Sequence, residues 1–390
     1  MDWVESAEAI GEVDQLLASV GLSHGRRETL GGTWKGGERQ GRGKRREGSF
    51  PPGRTARTGR AGVARAEGWE RYEWLRHGFS TRLGGVSEVY GPGTLNVGWT
   101  TSDDTAKVAE NRRRLVAEVV GGRISPRSQN RDVGHPARLV TLRQIHSGLV
   151  RVIERKDIDG GEGLSPTSQK RDVGHPQFVR HALETAEGRA VLRGDGMMTD
   201  VPGVLLGVQV ADCVPVLVAD VRRKAVAAFH AGWRGTLRRI VERGIGRMRL
   251  RYGSRPEDLI AVVGPAIGAC CYSVGEEVRH EFESQFAYAE ELFSEVYDSD
   301  PVRERYPMLF LTARAPGHSN IGPQIHLDLW EANRRQLLDA GLKAKKITVI
   351  GECTACARVK GGGLKYFSHR GESGFAGRMM GVVGVSGEKA

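Results

Sequence analysis

Three side chains far apart in the 390-residue chain could do chemistry together. His146 lies in Arg143-Gln144-Ile145-His146-Ser147, just after a short apolar run. Cys213 lies in Ala211-Asp212-Cys213, between two apolar runs, and His230 closes a third, ahead of Ala231-Gly232-Trp233-Arg234-Gly235. Strand ends are where open sheets place ligands and catalytic groups. Two imidazoles and one thiolate suit a catalytic zinc, which keeps a fourth position for water or substrate. Such an ion lowers the pKa of that water and polarises a bound oxygen. The same atoms also read without a metal, with Cys213 as a thiolate nucleophile, His230 as its base and Asp212 or another carboxylate orienting the imidazole. A third reading makes them two histidines at a core edge and a buried cysteine. The residues by themselves leave all three open.

Arginines accompany these positions. Arg82 follows Phe79-Ser80-Thr81 and precedes Gly84-Gly85, and Arg234 opens a predicted helix. Either is a candidate for holding phosphate through paired hydrogen bonds, and surface arginine is the plainer alternative. Cys353-Thr354-Ala355-Cys356 is a C-x-x-C, but a structural zinc site needs a second pair, and Cys270-Cys271 are adjacent and wrongly spaced for one. These four are expected to be structural cysteines. Gly361–Gly363 is no P-loop, since no Gly-Lys-Ser/Thr ends it.

The elements that must position these groups follow from apolar periodicity. Val204–Val210, Val214–Ala219, Ala225–His230 and Leu259–Gly264 are apolar runs of strand length, several of them apolar throughout, as in strands buried on both faces. Shorter strands are expected over 137–142, 149–153, 346–350 and 364–368. Helices are expected from a cap at Ser102 or Asp103 to about Val120, and over 236–251, 275–289 and 328–340. Strands alternating with helices imply a sheet covered by helices, hence α/β or α+β. No linker divides 69–385, so one large domain over 67–385 is expected, preceded by an extension over 1–66.

Composition bounds the rest. Hydrophobic residues are 39% of the chain, enough for a sizeable core, and no run of about 18 apolar residues occurs to cross a membrane. The net charge is +11, yet residues 26–65 alone hold 12 Lys and Arg against 3 acids. Residues 26–66, rich in glycine and arginine, read as disordered, and their charge permits nucleic-acid contact or none at all. Residues 1–22 have the spacing of a short amphipathic helix. Two polar segments, 125–136 (SPRSQNRDVGHP) and 165–176 (SPTSQKRDVGHP), repeat each other and read as insertions in loops, spanning about 121–138 and 156–190. Each pairs a His with an Asp (His135 with Asp132, His175 with Asp172), a weak metal candidate beside the plainer reading of a duplicated linker. Five cysteines and no basic leader at the N-terminus suggest a reducing compartment, with the cytoplasm as the expected location.

Taken in order, Ser80-Thr81-Arg82 with Gly84-Gly85-Val86-Ser87, Leu95-Asn96-Val97-Gly98, Gln144-Ile145-His146-Ser147, Ala211-Asp212-Cys213, His230-Ala231-Gly232-Trp233-Arg234-Gly235, Gly264-Pro265-Ala266-Ile267-Gly268, Cys271-Tyr272, Cys353-Thr354, Phe367-Ser368 and Gly377-Arg378 resemble the laccase-domain family, also described as multicopper polyphenol oxidoreductases. The resemblance covers about 77–384, less the two insertions. It implies a single α/β sandwich of mixed sheets flanked by helices. It also implies a purine nucleoside phosphorylase acting on adenosine, inosine, guanosine or methylthioadenosine with phosphate, with adenosine deaminase activity. The family's metal triad falls on His146, Cys213 and His230, with zinc as the expected ion and copper as the alternative. Carried onto this chain, Asp212, Cys213 and Arg234 become catalytic candidates, and Arg82, Asn96 and Arg234 substrate-binding ones. A cysteine hydrolase or amidase editing peptidoglycan precursors is the alternative. A true laccase is disfavoured, because blue multicopper oxidases need about ten His ligands, several in H-x-H pairs; this chain has 11 His and no H-x-H. Where the family has a second arginine after Phe367-Ser368-His369-Arg370, this chain has Gly371.

Overall fold

The computed structural model describes residues 61–121, 137–159, 192–296 and 324–387. In chain order the strands are β1 (Val63–Ala64), β2 (Leu75–Ser80), β3 (Leu83–Ser87), β4 (Arg138–Thr141), β5 (Val150–Val152), β6 (Gly196–Thr199), β7 (Val204–Val210), β8 (Val214–Asp220), β9 (Ala225–Ala231), β10 (Leu259–Val263), β11 (Ser273–Val274), β12 (Phe293–Val296), β13 (Gln324–Leu327), β14 (Ile347–Val349) and β15 (Met379–Val385). A five-stranded sheet has the order β1-β2-β15-β7-β4, and a six-stranded sheet the order β14-β10-β8-β9-β6-β5. Both are mixed: β4 runs parallel to β7 and β10 to β14, whereas β7 and β15, and β8 and β9, are antiparallel. A third, three-stranded sheet is β11-β13-β12.

The apolar runs explain the layering. Along β8 the side chains alternate between two cores. Leu217 and Ala219 meet Leu206, Val208, Phe79 and Val383 of the five-stranded sheet. Val214, Val216 and Val218 face Ile240, Val241, Ile245, Leu329 and Leu337 of the helices Ile240–Tyr252 and Leu329–Asp339. On the far side, Leu205, Met380 and Val382 pack on Leu115 and Val119 of the helix Thr105–Val120. The order is helix, sheet, sheet, helices, so strands in the middle have no polar face to show.

Some boundaries differ from expectation. The first long helix is capped by Asp104, which accepts from the amides of Ala106 and Lys107, and it stops at Gly121 with φ +83°. The helix expected over 236–251 is two helices, Trp233–Leu237 and Ile240–Tyr252, because Arg239 sits at φ +54° and turns the chain between them. Residues 364–368 form no strand; only Leu364 bridges to Arg358, while Tyr366 and Phe367 fill a small core of their own. Ordered pairing begins before residue 67, since β1 pairs with β2. Residues 1–60 and both copies of the repeat, with His135, Asp132, His175 and Asp172, lie outside the described residues. Among the described residues no helix is long and apolar enough to cross a membrane.

Candidate metal centre and cleft

The chain passes from one sheet to the other between β4 and β5 and again between β7 and β8. His146 lies in the first crossing and Cys213 in the second. His230 lies on β9, opposite Pro215 of β8, so it faces the second crossing. The topology thereby brings the three side chains together. One donor atom from each lies within 4.8 Å of the others, and Cys213 Sγ is 4.0 Å from His146 Nε2. The two imidazole rings meet edge to face with centroids 4.9 Å apart.

A buried carboxylate organises this group. Asp195 Oδ1 accepts from the amide of His146 (3.0 Å) and from His230 Nδ1 (2.9 Å). Its Oδ2 accepts from the amide and hydroxyl of Ser147 (2.6 and 2.7 Å). The amide of Ile145 reaches the same carboxylate. Since a carboxylate only accepts, His230 carries its proton on Nδ1 and turns Nε2 toward the sulfur. Three successive amides bent round one carboxylate hold His146 at φ +55°, a conformation that a β-carbon normally disfavours. Asp195 was not among the sequence candidates. Its only signal is a lone acid between two glycines, Gly194 and Gly196, at the head of an apolar strand.

Charge follows this geometry. Burial works against ionising Asp195, but the hydrogen bonds from His230 and Ser147 outweigh it and hold the carboxyl at about 2. Burial likewise opposes a Cys213 thiolate, yet the neighbouring His230 and His146 bring the thiol down to about 6. Burial opposes a proton on His230 as well, and Cys213 with Asp195 raises it to about 9. Without an ion the group is therefore a thiolate–imidazolium pair braced by a carboxylate.

The donor set fits one divalent ion. Two nitrogens and a sulfur at tetrahedral zinc would lie roughly 3.3–3.6 Å apart; the 4.0 Å between Cys213 Sγ and His146 Nε2 is close to that, and all three donors lie within 4.8 Å of one another. The Asp195–His230 bond is the carboxylate–histidine support that metal-bound imidazoles use. Gly232 leaves the room: a β-carbon there would stand 2.8 Å from Cys213 Sγ and 3.4 Å from His146 Cδ2. The donors do not fit a multicopper centre, since this group has two imidazoles and the other group able to hold an ion, among the described residues, is Cys270, Cys271, Cys353 and Cys356, without an imidazole.

The centre opens into a cleft of about 870 Å³, lined by His146, Cys213 and His230 and walled by Trp99, Arg143, His369 and Arg378. Arg143 is exposed. Arg378 donates Nη1 to the carbonyls of Ala376 and Gly377.

A sequence model of multi-copper polyphenol oxidoreductase laccases matches residues 76–386. The chain belongs to that family. Within the laccase family it is 31% identical over 325 residues to the purine nucleoside phosphorylase YlmD of Geobacillus stearothermophilus, covering 82% of this chain and 95% of that one. The crystal structure of YlmD from Geobacillus stearothermophilus superposes with a TM-score of 0.59 at 28% identity, covering 86% of this chain and 98% of the other. Adenosine deaminase RL5, from an unknown prokaryotic organism, is 32% identical over 176 residues, 45% of this chain and 58% of that protein.

The other expected site residues of this laccase-family chain fall elsewhere. Arg82 is spent on the fold: Nη1 pairs with Glu372 (3.0 Å), Nη2 donates to the Tyr90 carbonyl (2.7 Å), and the guanidinium lies over Phe367. Asn96 is fully buried; its amide donates to Gly98 and Asp103 and its oxygen accepts from the amides of Gly98 and Arg378. Neither lines the cleft. Arg234 is exposed, stacks over Trp233 and borders a separate depression. Asp212, at φ +88°, accepts from the Thr354 hydroxyl (2.7 Å) and the Arg370 amide (2.6 Å), so its carboxylate fixes the turn that carries Cys213.

Proposed function

We propose that this chain is a zinc-dependent purine nucleoside phosphorylase that also deaminates adenosine, with the cleft above His146, Cys213 and His230 as its active site. The observation that carries the reading is the convergence of two carboxylate-braced or strapped imidazoles and one sulfur on the floor of a cleft with arginine and tryptophan walls. When bound there, zinc supplies a Lewis acid for an anionic oxygen. Arg143 offers its guanidinium to phosphate, and Arg378 presents the donors left free by its own loop. Trp99, whose ring lies under the Arg112 guanidinium, lines the same cleft as the apolar wall nearest a purine. Phosphorolysis and deamination share this site because both bring an oxygen nucleophile to a purine nucleoside. Asp212 acts here by positioning Cys213, and Arg82 and Asn96 by holding the surrounding loops. The relatives named for purine nucleoside phosphorylase and adenosine deaminase support the same substrate class.

The test is to give zinc-loaded protein adenosine, inosine and methylthioadenosine with and without phosphate, and to follow free base and inosine by chromatography. Phosphate-dependent base release, lost in Cys213→Ala, is expected. Loaded protein that releases neither base nor inosine overturns the proposal.

The Cys213–His230–Asp195 order supports a second reading, a thiol hydrolase or amidase in which Cys213 attacks and His230 shuttles the proton. Amidase activity that persists in metal-free protein and is abolished by iodoacetamide on Cys213 favours it; activity lost on chelation and restored by zinc rejects it.

A further inference from the structure

Four of the five cysteines lie away from that cleft and converge on each other. Cys270 and Cys271 follow β10, and Cys353 and Cys356 follow β14. The two strands are parallel neighbours, so both segments leave the sheet at the same end. There the segments are stitched: Ala266 bridges to Cys353, the amide of Thr354 donates to the Ala266 carbonyl (3.0 Å), and the amide of Gly268 donates to Cys353 Sγ (3.3 Å). All four sulfurs lie within 4.8 Å of one another, and Cys270 Sγ is 3.7 Å from Cys356 Sγ.

That spacing discriminates among the roles of a cysteine cluster. A disulfide needs its sulfurs at about 2.05 Å, and none of these is so paired. An iron–sulfur cluster distributes its cysteines over several irons. Four sulfurs at about 2.3 Å from one tetrahedral ion sit about 3.8 Å from each other, the edge of that tetrahedron. The Cys353 sulfur is faced by the backbone amides of Gly268, Ala355 and Cys356, a set of donors that suits a thiolate. Four thiolates at this distance repel unless a cation lies between them.

We propose that Cys270, Cys271, Cys353 and Cys356 form a second, closed site that binds one zinc ion through four thiolates and fastens the segment after β10 to the segment after β14. With four protein ligands it keeps no position for substrate, so its role is structural. The fastened segments hold the turn ahead of Cys213: Ile267 donates its amide to the Asp212 carbonyl (2.9 Å) and Thr354 its hydroxyl to the Asp212 carboxylate. The proposal does not rest on the purine reading.

The experiment is metal analysis and cobalt substitution of the full chain, purified under reducing conditions, as wild type, Cys213→Ala and Cys356→Ser. Cys213→Ala is expected to retain one tightly bound ion, and its cobalt form to show the intense thiolate-to-metal charge transfer of tetrahedral tetrathiolate coordination. Cys356→Ser is expected to bind that ion at least tenfold more weakly while keeping the ion at Cys213. Reduced Cys213→Ala that binds no ion, carries acid-labile sulfide or arrives with a Cys270–Cys356 disulfide overturns the proposal. If Cys356→Ser does not fold, the cobalt spectrum of Cys213→Ala still decides. Retention of one ion by wild type that persists in Cys213→Ala would count against the cleft centre and for the four-thiol site, so the two can fail separately.

Discussion

The two donor groups belong to one loop system but are built on opposite principles. At His146, Cys213 and His230 the donors differ in kind, a buried carboxylate braces them, and the backbone beside them is forced to positive φ at His146 and Asp212. At Cys270, Cys271, Cys353 and Cys356 the donors are alike, backbone amides surround one of them, and none of the four has positive φ. Positive φ falls where three donors would leave one coordination position open to a cleft, and on none of the four cysteines, whose sulfurs could fill a shell by themselves. Holding three unlike donors short of saturation takes an outside frame. Asp195 is that frame.

The largest effect is therefore expected at a residue that touches no substrate. Asp195→Ala strands the amides of Ile145, His146 and Ser147 and the Nδ1 proton of His230. Breaking such a buried pair costs roughly 3–5 kcal/mol, and losing a metal-supporting carboxylate costs about 10- to 100-fold in affinity. Chemical denaturation and zinc titration should show both losses, with the four-thiol group unaffected. Unchanged zinc retention at the cleft would show that Asp195 is not the frame.

Proton release should separate the two groups next. At pH 7.5 Cys213 is already a thiolate and His230 still protonated, so zinc entering the cleft centre displaces about one proton from this pair. Its affinity should drop about tenfold per pH unit from 9 down to 6, and more steeply below 6, where Cys213 takes a proton too. Burial and neighbouring sulfurs push the Cys270 and Cys271 thiols up. The four-thiol group must then lose at least these two protons, giving a slope at least twice as steep at pH 7.5. Calorimetry in buffers of different ionisation enthalpy counts the protons, and equal counts at the two groups would erase the distinction.

What the amino-acid sequence disclosed follows the same division. β7, β8, β9 and β10 were readable because both faces are almost entirely buried and nearly all of their residues are apolar. β15 was not, although it is central to the five-stranded sheet. Gly381 and Gly384 interrupt its pattern, and they are there because β-carbons would come within 2.8 Å of Pro215 and 2.3 Å of the Val204 carbonyl. His146, Cys213 and His230 could be singled out because each ends an apolar run. Asp195 could not, since a buried acid beside glycine looks like a turn. The four cysteines failed a test based on spacing because their second pair is supplied by the parallel pairing of β10 with β14, not by a second C-x-x-C. Arg82 looked like an anion ligand beside glycines; only the fold reveals that Glu372 and Tyr90 occupy it.

The arginines offer a smaller and sharper test of where the cleft ends. Arg143→Ala should raise KM for phosphate about tenfold, the loss of one charge-assisted contact worth about 1.5 kcal/mol. Arg234→Ala should change it less than twofold, because that guanidinium stacks on Trp233 beside a different depression. Steady-state kinetics with phosphate varied reads both. The reverse ranking would restore Arg234 as the phosphate ligand and move the substrate to the other side of the centre.

The smallest effect concerns the link between the two groups. Thr354 adjoins Cys353 and donates to the Asp212 carboxylate, which adjoins Cys213. Thr354→Val keeps the shape and removes the donor, leaving Asp212 Oδ1 without that bond, at a cost of about 1–2 kcal/mol. Because Asp212 stays tied through the Arg370 amide and the Ile267 contact, turnover should fall only a few-fold. Combined with Cys356→Ser, the loss should be less than the sum of the two, since each loosens the same turn. Strict additivity in denaturation and in turnover would mean that the four-thiol group holds its two segments without reaching the cleft at all.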